Sequence, residues 1–110
     1  MEISYRSKKL ESQLTDPREM VKSFGQLARK VNQRLKELND ADNLSVMRTI
    51  LAARCHELSG NQKGQFAVDV STNYRLIFKP TNNPIPFKED GGLNWEEVTR
   101  IQIIEIVDYH

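Results

Sequence analysis

Residues 65–78 carry the pattern that most restricts the fold. Phe66, Val68 and Val70 alternate with Gln65, Ala67 and Asp69, and Tyr74, Leu76 and Phe78 alternate with Arg75, Ile77 and Lys79. A period of two over each run specifies strands, and Ser71-Thr72-Asn73 between them is a turn short enough to make an antiparallel hairpin. One face of such a hairpin packs on a core while the other stays partly open. The stretch leading into it, Arg54-Cys55-His56-Glu57-Leu58-Ser59-Gly60-Asn61-Gln62-Lys63-Gly64, reads as a helix end followed by a glycine-rich turn.

The rest of the chain supplies packing for this hairpin. Glu2-Ile3-Ser4-Tyr5-Arg6 alternates as a short strand, with Lys8 and Lys9 in a loop or helical turn after it. Asp16-Pro17-Arg18-Glu19 starts a helix: Asp16 caps, Pro17 suits the first turn and Glu19 completes a capping box. Met20, Phe24, Leu27, Val31, Leu35 and Leu38 then recur as one apolar stripe, with Lys22, Arg29, Lys30, Arg34 and Lys36 on the wet face. Gly25 inside that helix costs about 1 kcal/mol relative to alanine. A second helix is expected from about residue 42 to residue 56, with Leu44, Met47, Ile50 and Leu51 inward, antiparallel to the first as a hairpin. Residues 80–100 hold three prolines, Asn82-Asn83 and Asp90-Gly91-Gly92, the marks of a long irregular segment in which Asn94-Trp95-Glu96-Glu97 caps one helical turn. Residues 101–107 are almost continuously apolar, which predicts a last, central strand covered on both faces. The expectation is an α+β fold, with two helices in the N-terminal half packed on a small antiparallel sheet and residues 1–110 forming one domain.

The 110 residues suit one core, and 38% hydrophobic with 28% charged content suits a soluble globular protein. No apolar run is long enough to span a bilayer, and the first residues do not read as a signal peptide. The single cysteine, Cys55, excludes an internal disulfide and suits a reducing cytoplasm. The net charge of +1 hides an asymmetry: residues 1–80 carry 14 Lys/Arg against 9 Asp/Glu, and residues 81–110 carry 2 against 6. A mildly basic body permits contact with phosphates, though ordinary solvated helix faces give the same count.

The groups capable of chemistry are spread along the chain and gather only if the sheet brings them together. They are His56, Lys63, Arg75 and the closing Asp108-Tyr109-His110. Imidazole, carboxylate, lysine and guanidinium around one concave face suit phosphodiester cleavage. An imidazole takes a proton from a ribose 2′-hydroxyl or gives one to the leaving 5′-oxygen, and lysine and arginine stabilise charge on the pentavalent phosphorus. Phe66, Tyr74 or Tyr109 can stack on a base. Each group also has a plainer reading. His56 caps helix carbonyls or lies on the surface, His110 is a chain-terminal residue, and Arg75 pairs with Asp69 across the hairpin. Cys55 beside His56 lacks a second pair with zinc-ligand spacing, and no nucleotide loop or hydrolase elbow is present.

Three pieces together resemble the HigB group of the RelE/ParE toxin superfamily, the plasmid-maintenance killer proteins. They are His56-Glu57-Leu58-Ser59-Gly60-Asn61-Gln62-Lys63-Gly64-Gln65-Phe66, then Asn73-Tyr74-Arg75-Leu76-Ile77-Phe78, then Glu105-Ile106-Val107-Asp108-Tyr109-His110. The resemblance implies a β-α-α-β-β-β toxin and a ribosome-dependent, metal-independent endoribonuclease with no cofactor that cuts mRNA in the decoding site of a bacterial cytoplasm. It implies a helix-turn-helix antitoxin similar to HigA, through which alone the pair meets DNA at its own operon. It further implies that His56, Arg75, Asp108, Tyr109 and His110 are catalytic and that Arg54, Lys63 and Tyr74 hold RNA or its phosphates. Relatives on the same fold that poison gyrase, and a degenerate antitoxin-binding chain, are the alternatives; the gyrase-poisoning relatives lack the upstream histidine and the terminal Asp-Tyr-His. Residues 80–100 are longer and more acidic than the family's usual last hairpin. They are expected to lie beside the active face, contacting antitoxin or ribosome or shielding the site.

Overall fold

The alternation at residues 65–78 is realised as β3 (Phe66–Asp69) and β4 (Tyr74–Pro80), paired antiparallel with Phe66 opposite Phe78 and Asp69 opposite Arg75. The computed structural model describes residues 1–108. Around the hairpin lie β1 (Glu2–Tyr5), α1 (Lys8–Thr15), α2 (Pro17–Phe24), α3 (Ala28–Asp40), β2 (His56–Glu57) and β5 (Arg100–Asp108). The sheet has five strands in the order β1-β5-β4-β3-β2. Its pairings are antiparallel except β1 with β5, which is parallel, so the sheet is mixed. The α+β class holds, with one more helix and one more strand than the sequence suggests.

The helical layer differs in detail from its expectation. Ser7 accepts a hydrogen bond from the Leu10 N–H at 3.1 Å and starts α1 where only a loop or turn was expected. Asp16 caps α2 by accepting from the Arg18 N–H at 2.9 Å, with Pro17 in its first turn. The Asp16 N–H itself donates to the Ser12 carbonyl at 3.1 Å, closing α1 instead of meeting Glu19 in a capping box. The expected long helix breaks at Gly25, whose φ of 55° and ψ of −124° no helix accommodates. A 3-10 turn over Gly25–Leu27 redirects the chain into α3.

The second expected helix is not α-helical. Residues 44–53 form two 3-10 segments, Leu44–Thr49 and Leu51–Ala53. Asn43 accepts from the Ser45 N–H at 3.0 Å, and Val46, Thr49 and Ile50 are β-branched, so local bonding and stiffness oppose a regular helix. Arg54 then takes a left-handed conformation, φ 45°. That turn delivers His56 into a strand rather than leaving it at a helix end.

One sheet face carries Phe66, Val68, Leu76, Phe78, Ile101 and Ile103 into a core shared with Val31, Leu38, Leu44 and Met47. Phe66 and Phe78 stack with centroids 5.9 Å apart, and Trp95 meets Phe66 edge-on at 5.0 Å. The other face buries a smaller cluster of Leu58, Ala67, Ile77 and Ile104, with Val107 at its margin. The last strand is interior to the sheet as expected, but Gln102, Glu105, Ile106 and Val107 are only half-buried and its register shifts beside Ile77 and Phe78. Residues 80–100 are irregular as expected yet anchored. Asn94 precedes a 3-10 turn at Trp95–Glu97, Arg48 lies 3.7 Å from the Trp95 ring centre, and Val98 accepts from the Leu44 N–H at 3.0 Å. No helix among the described residues is long and apolar enough to cross a membrane.

Candidate functional site

The antiparallel registers sort the candidate residues by face. His56 pairs with Ala67, which pairs with Ile77, which pairs with Glu105. Cross-strand partners share a face, so this row lies on the side away from the helices. Two residues along, about 7 Å away, Asp69 pairs with Arg75 and Arg75 with Val107. Arg54, two residues before His56, reaches the same place: its Nε lies 3.5 Å from Asp69 Oδ2, while Arg75 Nε lies 3.4 Å from Asp69 Oδ1. One carboxylate thus stands between two guanidiniums, on the face that also carries His56.

The histidine is oriented by its own strand. Its Nδ1 lies 2.7 Å from the Arg54 carbonyl oxygen. A carbonyl oxygen only accepts, so Nδ1 carries the proton and Nε2 in the neutral ring presents a lone pair. The left-handed Arg54 makes this possible, because it turns its carbonyl back toward the ring two residues on. Glu57, the next residue, points the other way, and its carboxylate accepts the Gly64 N–H at 3.2 Å to brace the glycine turn.

Asp69 is fixed from below. Arg34, at 3% exposure the one buried charged residue among those described, donates from Nε to the Asp69 carbonyl at 2.7 Å and pairs with Glu37 at 2.9 Å. Arg34 was expected on the wet face of its helix. It is instead buried because the Asp69 carbonyl and the Glu37 carboxylate satisfy its donors. Asp69 Oδ1 is buried with no hydrogen bond among the described residues, so the 3.4 Å approach of Arg75 is an ion-pair contact rather than a closed hydrogen bond.

The remaining expectations divide. Tyr74 pairs with Asp108, one rung beyond the Arg75–Val107 pair, and its half-buried ring packs against the main core. Asp108 is exposed at the end of β5, on the strand that flanks Arg75. Tyr109 and His110 lie outside the described residues. Lys63 does not join Arg75. It follows the Gly60–Gln62 turn and lines a cavity at the opposite end of the hairpin, with Phe66, Lys79 and Pro80. Residues 85–93 wall that same cavity. The expectation that the 80–100 segment flanks the active face is therefore corrected: it flanks Lys63 and Glu57, because it joins the far ends of β4 and β5. Sequence reasoning placed Asp69 as a partner of Arg75 alone. Its second partner, Arg54, was hidden because residues 42–56 read as a helix, whereas Arg54 takes a left-handed turn that leads into β2.

Residues 3–87 match the family model of the HigB-like toxin, described as the RelE-like toxin of the type II toxin–antitoxin system HigB. No curated protein sequence matches the chain. Among solved structures it is similar to a YoeB/ParE toxin from Agrobacterium tumefaciens, at a TM-score of 0.56 and 12% identity over 100% of both chains. It is similar to the YoeB–YefM complex from Staphylococcus aureus, at 0.57 and 16% over 100% of this chain and 97% of that one. It is also similar to YafQ from E. coli strain BL21(DE3), at 0.58 and 15% over 97% of this chain and 91% of that one. At such identities the likeness is one of fold.

Proposed function

The chain belongs to the HigB-like toxin family of RelE-like type II toxins, and from that we propose that it is a metal-independent endoribonuclease that cuts mRNA on the ribosome. The observation that carries this reading is the face shared by His56, Arg54 and Arg75, with two guanidiniums set around Asp69 beside an imidazole whose Nε2 is open to a proton.

In the proposed reaction His56 Nε2 removes the proton of a ribose 2′-hydroxyl. The O2′–P bond forms, the P–O5′ bond breaks, and the products are a 2′,3′-cyclic phosphate and a 5′-hydroxyl. The terminal Asp108-Tyr109-His110 group returns a proton to the leaving oxygen. Arg75 stabilises the charge on the phosphorane, and Arg54, more exposed at 64% against 22%, holds a neighbouring phosphate. Tyr74 supports the strand end from the core side, and Lys63 stands apart from the scissile phosphate. The nucleophile belongs to the substrate, so the scheme requires no metal. The proposed partners are the ribosome with its message and a helix-turn-helix antitoxin similar to HigA, in a bacterial cytoplasm.

Primer extension on a translated message tests this. Wild type is expected to cut within the reading frame only when translation proceeds, chelator or not, and His56→Ala to cut at least about 100-fold more slowly. Growth arrest with intact mRNA and a DNA-damage response would overturn the reading in favour of a gyrase-directed toxin.

A further inference from the structure

We propose that the cavity walled by residues 85–93 is a binding subsite for one nucleotide of the RNA, outside the cleavage site; this rests on the RNA-cleaving reading above. The cavity has a volume of about 490 Å³, within the range of built small-molecule sites. Its interior is apolar, formed by Phe66, Pro80, Ile85, Phe87 and Leu93. Its rim carries Lys63 and Lys79, and neither lysine has an ion-pair partner among the described residues.

The wall is held in shape rather than draped. Phe87 and Leu93 bridge antiparallel, the Lys88 N–H donates to the Gly92 carbonyl at 2.7 Å, and the Asn94 N–H donates to the Pro86 carbonyl at 2.9 Å. This small hairpin leaves Phe87 64% exposed. A fixed, exposed phenyl ring beside free ammonium groups offers a flat apolar surface next to cations, which is what a nucleobase and its phosphate require. The carboxylates nearby are held by the backbone, Glu57 accepting from the Gly64 N–H at 3.2 Å and Asp90 from the Gly92 N–H at 2.8 Å, which fixes their positions without removing their charge. An apolar peptide would fill the interior but leave both lysines idle, so the rim favours RNA.

The position along the sheet fits one strand of RNA. Lys79 follows Arg75 by four residues on β4, so both lie on the face of His56, about 14 Å apart. The cavity is lined by Phe66, Glu57 and Pro80 from the opposite face of the sheet, so RNA cut at Arg75 and running along β4 to Lys79 must turn round the far end of the sheet to enter it. The family match ends at residue 87, so the wall from Gly91 to Leu93 belongs to this chain rather than to the matched pattern. The subsite is inferred to add a base preference away from the cut.

The test uses the full chain with a 2′-O-methyl tetranucleotide, which cannot be cleaved, and the same probe made abasic at single positions. Removal of one base is expected to weaken binding about tenfold, and Phe87→Ala to abolish that difference without changing the thermal midpoint. Lys63→Ala combined with Lys79→Ala is expected to weaken both probes. In cleavage of a translated message, Phe87→Ala is expected to raise KM and alter the base preference flanking the cut while leaving kcat within about twofold. Equal affinity for intact and abasic probes would overturn the proposal, as would unchanged flanking preference in a wild type and variant that both cut. Failure of wild type itself to cut RNA would instead overturn the function. Loss of binding to a co-expressed antitoxin in Phe87→Ala, with RNA binding intact, would overturn the subsite in favour of a protein occupant.

Discussion

Two side chains set properties that can be measured one residue at a time. Asp69 holds Arg54 and Arg75 at 3.5 and 3.4 Å, and its flanking cations are partly solvated. Such pairs contribute at most about 1 kcal/mol after screening, so their value is positional. Asp69→Asn is expected to leave the unfolding free energy from urea denaturation within about 1 kcal/mol of wild type and to lower kcat for RNA cleavage about tenfold with little change in KM, whereas Asp69→Glu restores part of it. Equal losses of kcat and stability would make Asp69 a structural residue only. Cys55 behaves differently, since burial pushes its thiol up to about 12 from 9.0, with Arg48 pulling weakly the other way. The unfolded chain therefore releases this proton near 9 and the folded chain only near 12, so between those values the unfolded state binds fewer protons and stability falls as pH rises. The drop in urea midpoint between pH about 8 and about 10.5 is expected to be smaller in Cys55→Ala than in wild type. His56 and Arg75 were visible in the sequence because a histidine before a glycine turn and an arginine in an alternating strand stand out. Arg34 was not, because a lysine-like position on a helical wheel gives no sign that a distant carbonyl waits for it.

Among the elements, the strands were legible and the helices only partly so. Period-two alternation survives folding because each strand's inward residues, Phe66 and Val68 or Leu76 and Phe78, meet the same core. The helical period was also correct as a stripe, since Met20, Val31, Leu35 and Leu38 are all buried. What it could not reveal was the break. A stripe continues across a kink if the kink turns the axis without turning the face, and Gly25 does this at φ 55°. Nothing lies within 4 Å of a Cβ placed there, so Gly25→Ala has no steric clash and its whole cost is backbone strain. That substitution is expected to destabilise the fold by about 1–3 kcal/mol in urea denaturation, against a gain if the segment were continuous helix. A stabilised Gly25→Ala would mean that α2 and α3 are one helix. The 3-10 course of residues 44–53 was likewise beyond the pattern, because Leu44 and Met47 are three apart and fit either helix type.

At the scale of the molecule, the irregular segment between β4 and β5 closes the far end of the core instead of covering the face with His56. Trp95 joins three parts of the chain: its ring meets Phe66 of β3 edge-on at 5.0 Å, Arg48 of the 3-10 region lies 3.7 Å from its centre, and its turn leads directly to the buried Val98. The sequence marked this stretch as loop because prolines and glycines dominate it, and the tertiary contacts that make it structural are not local. Trp95→Ala removes a half-buried aromatic and a cation–π contact together, so it is expected to cost about 2–3 kcal/mol of stability, less than a fully buried aromatic. Because the segment joins the opposite end of the sheet from Arg75, the same variant is expected to keep its kcat for RNA cleavage at saturating message, at a temperature where it remains native. Arg48→Ala should reproduce only a part of the loss, about 1 kcal/mol, through the cation–π contact alone. Denaturation and cleavage measured on the same preparations separate the two ends of the sheet. A Trp95→Ala chain that stays folded but loses kcat at saturating message would mean that the segment communicates with the face of His56, against the layout of these strands.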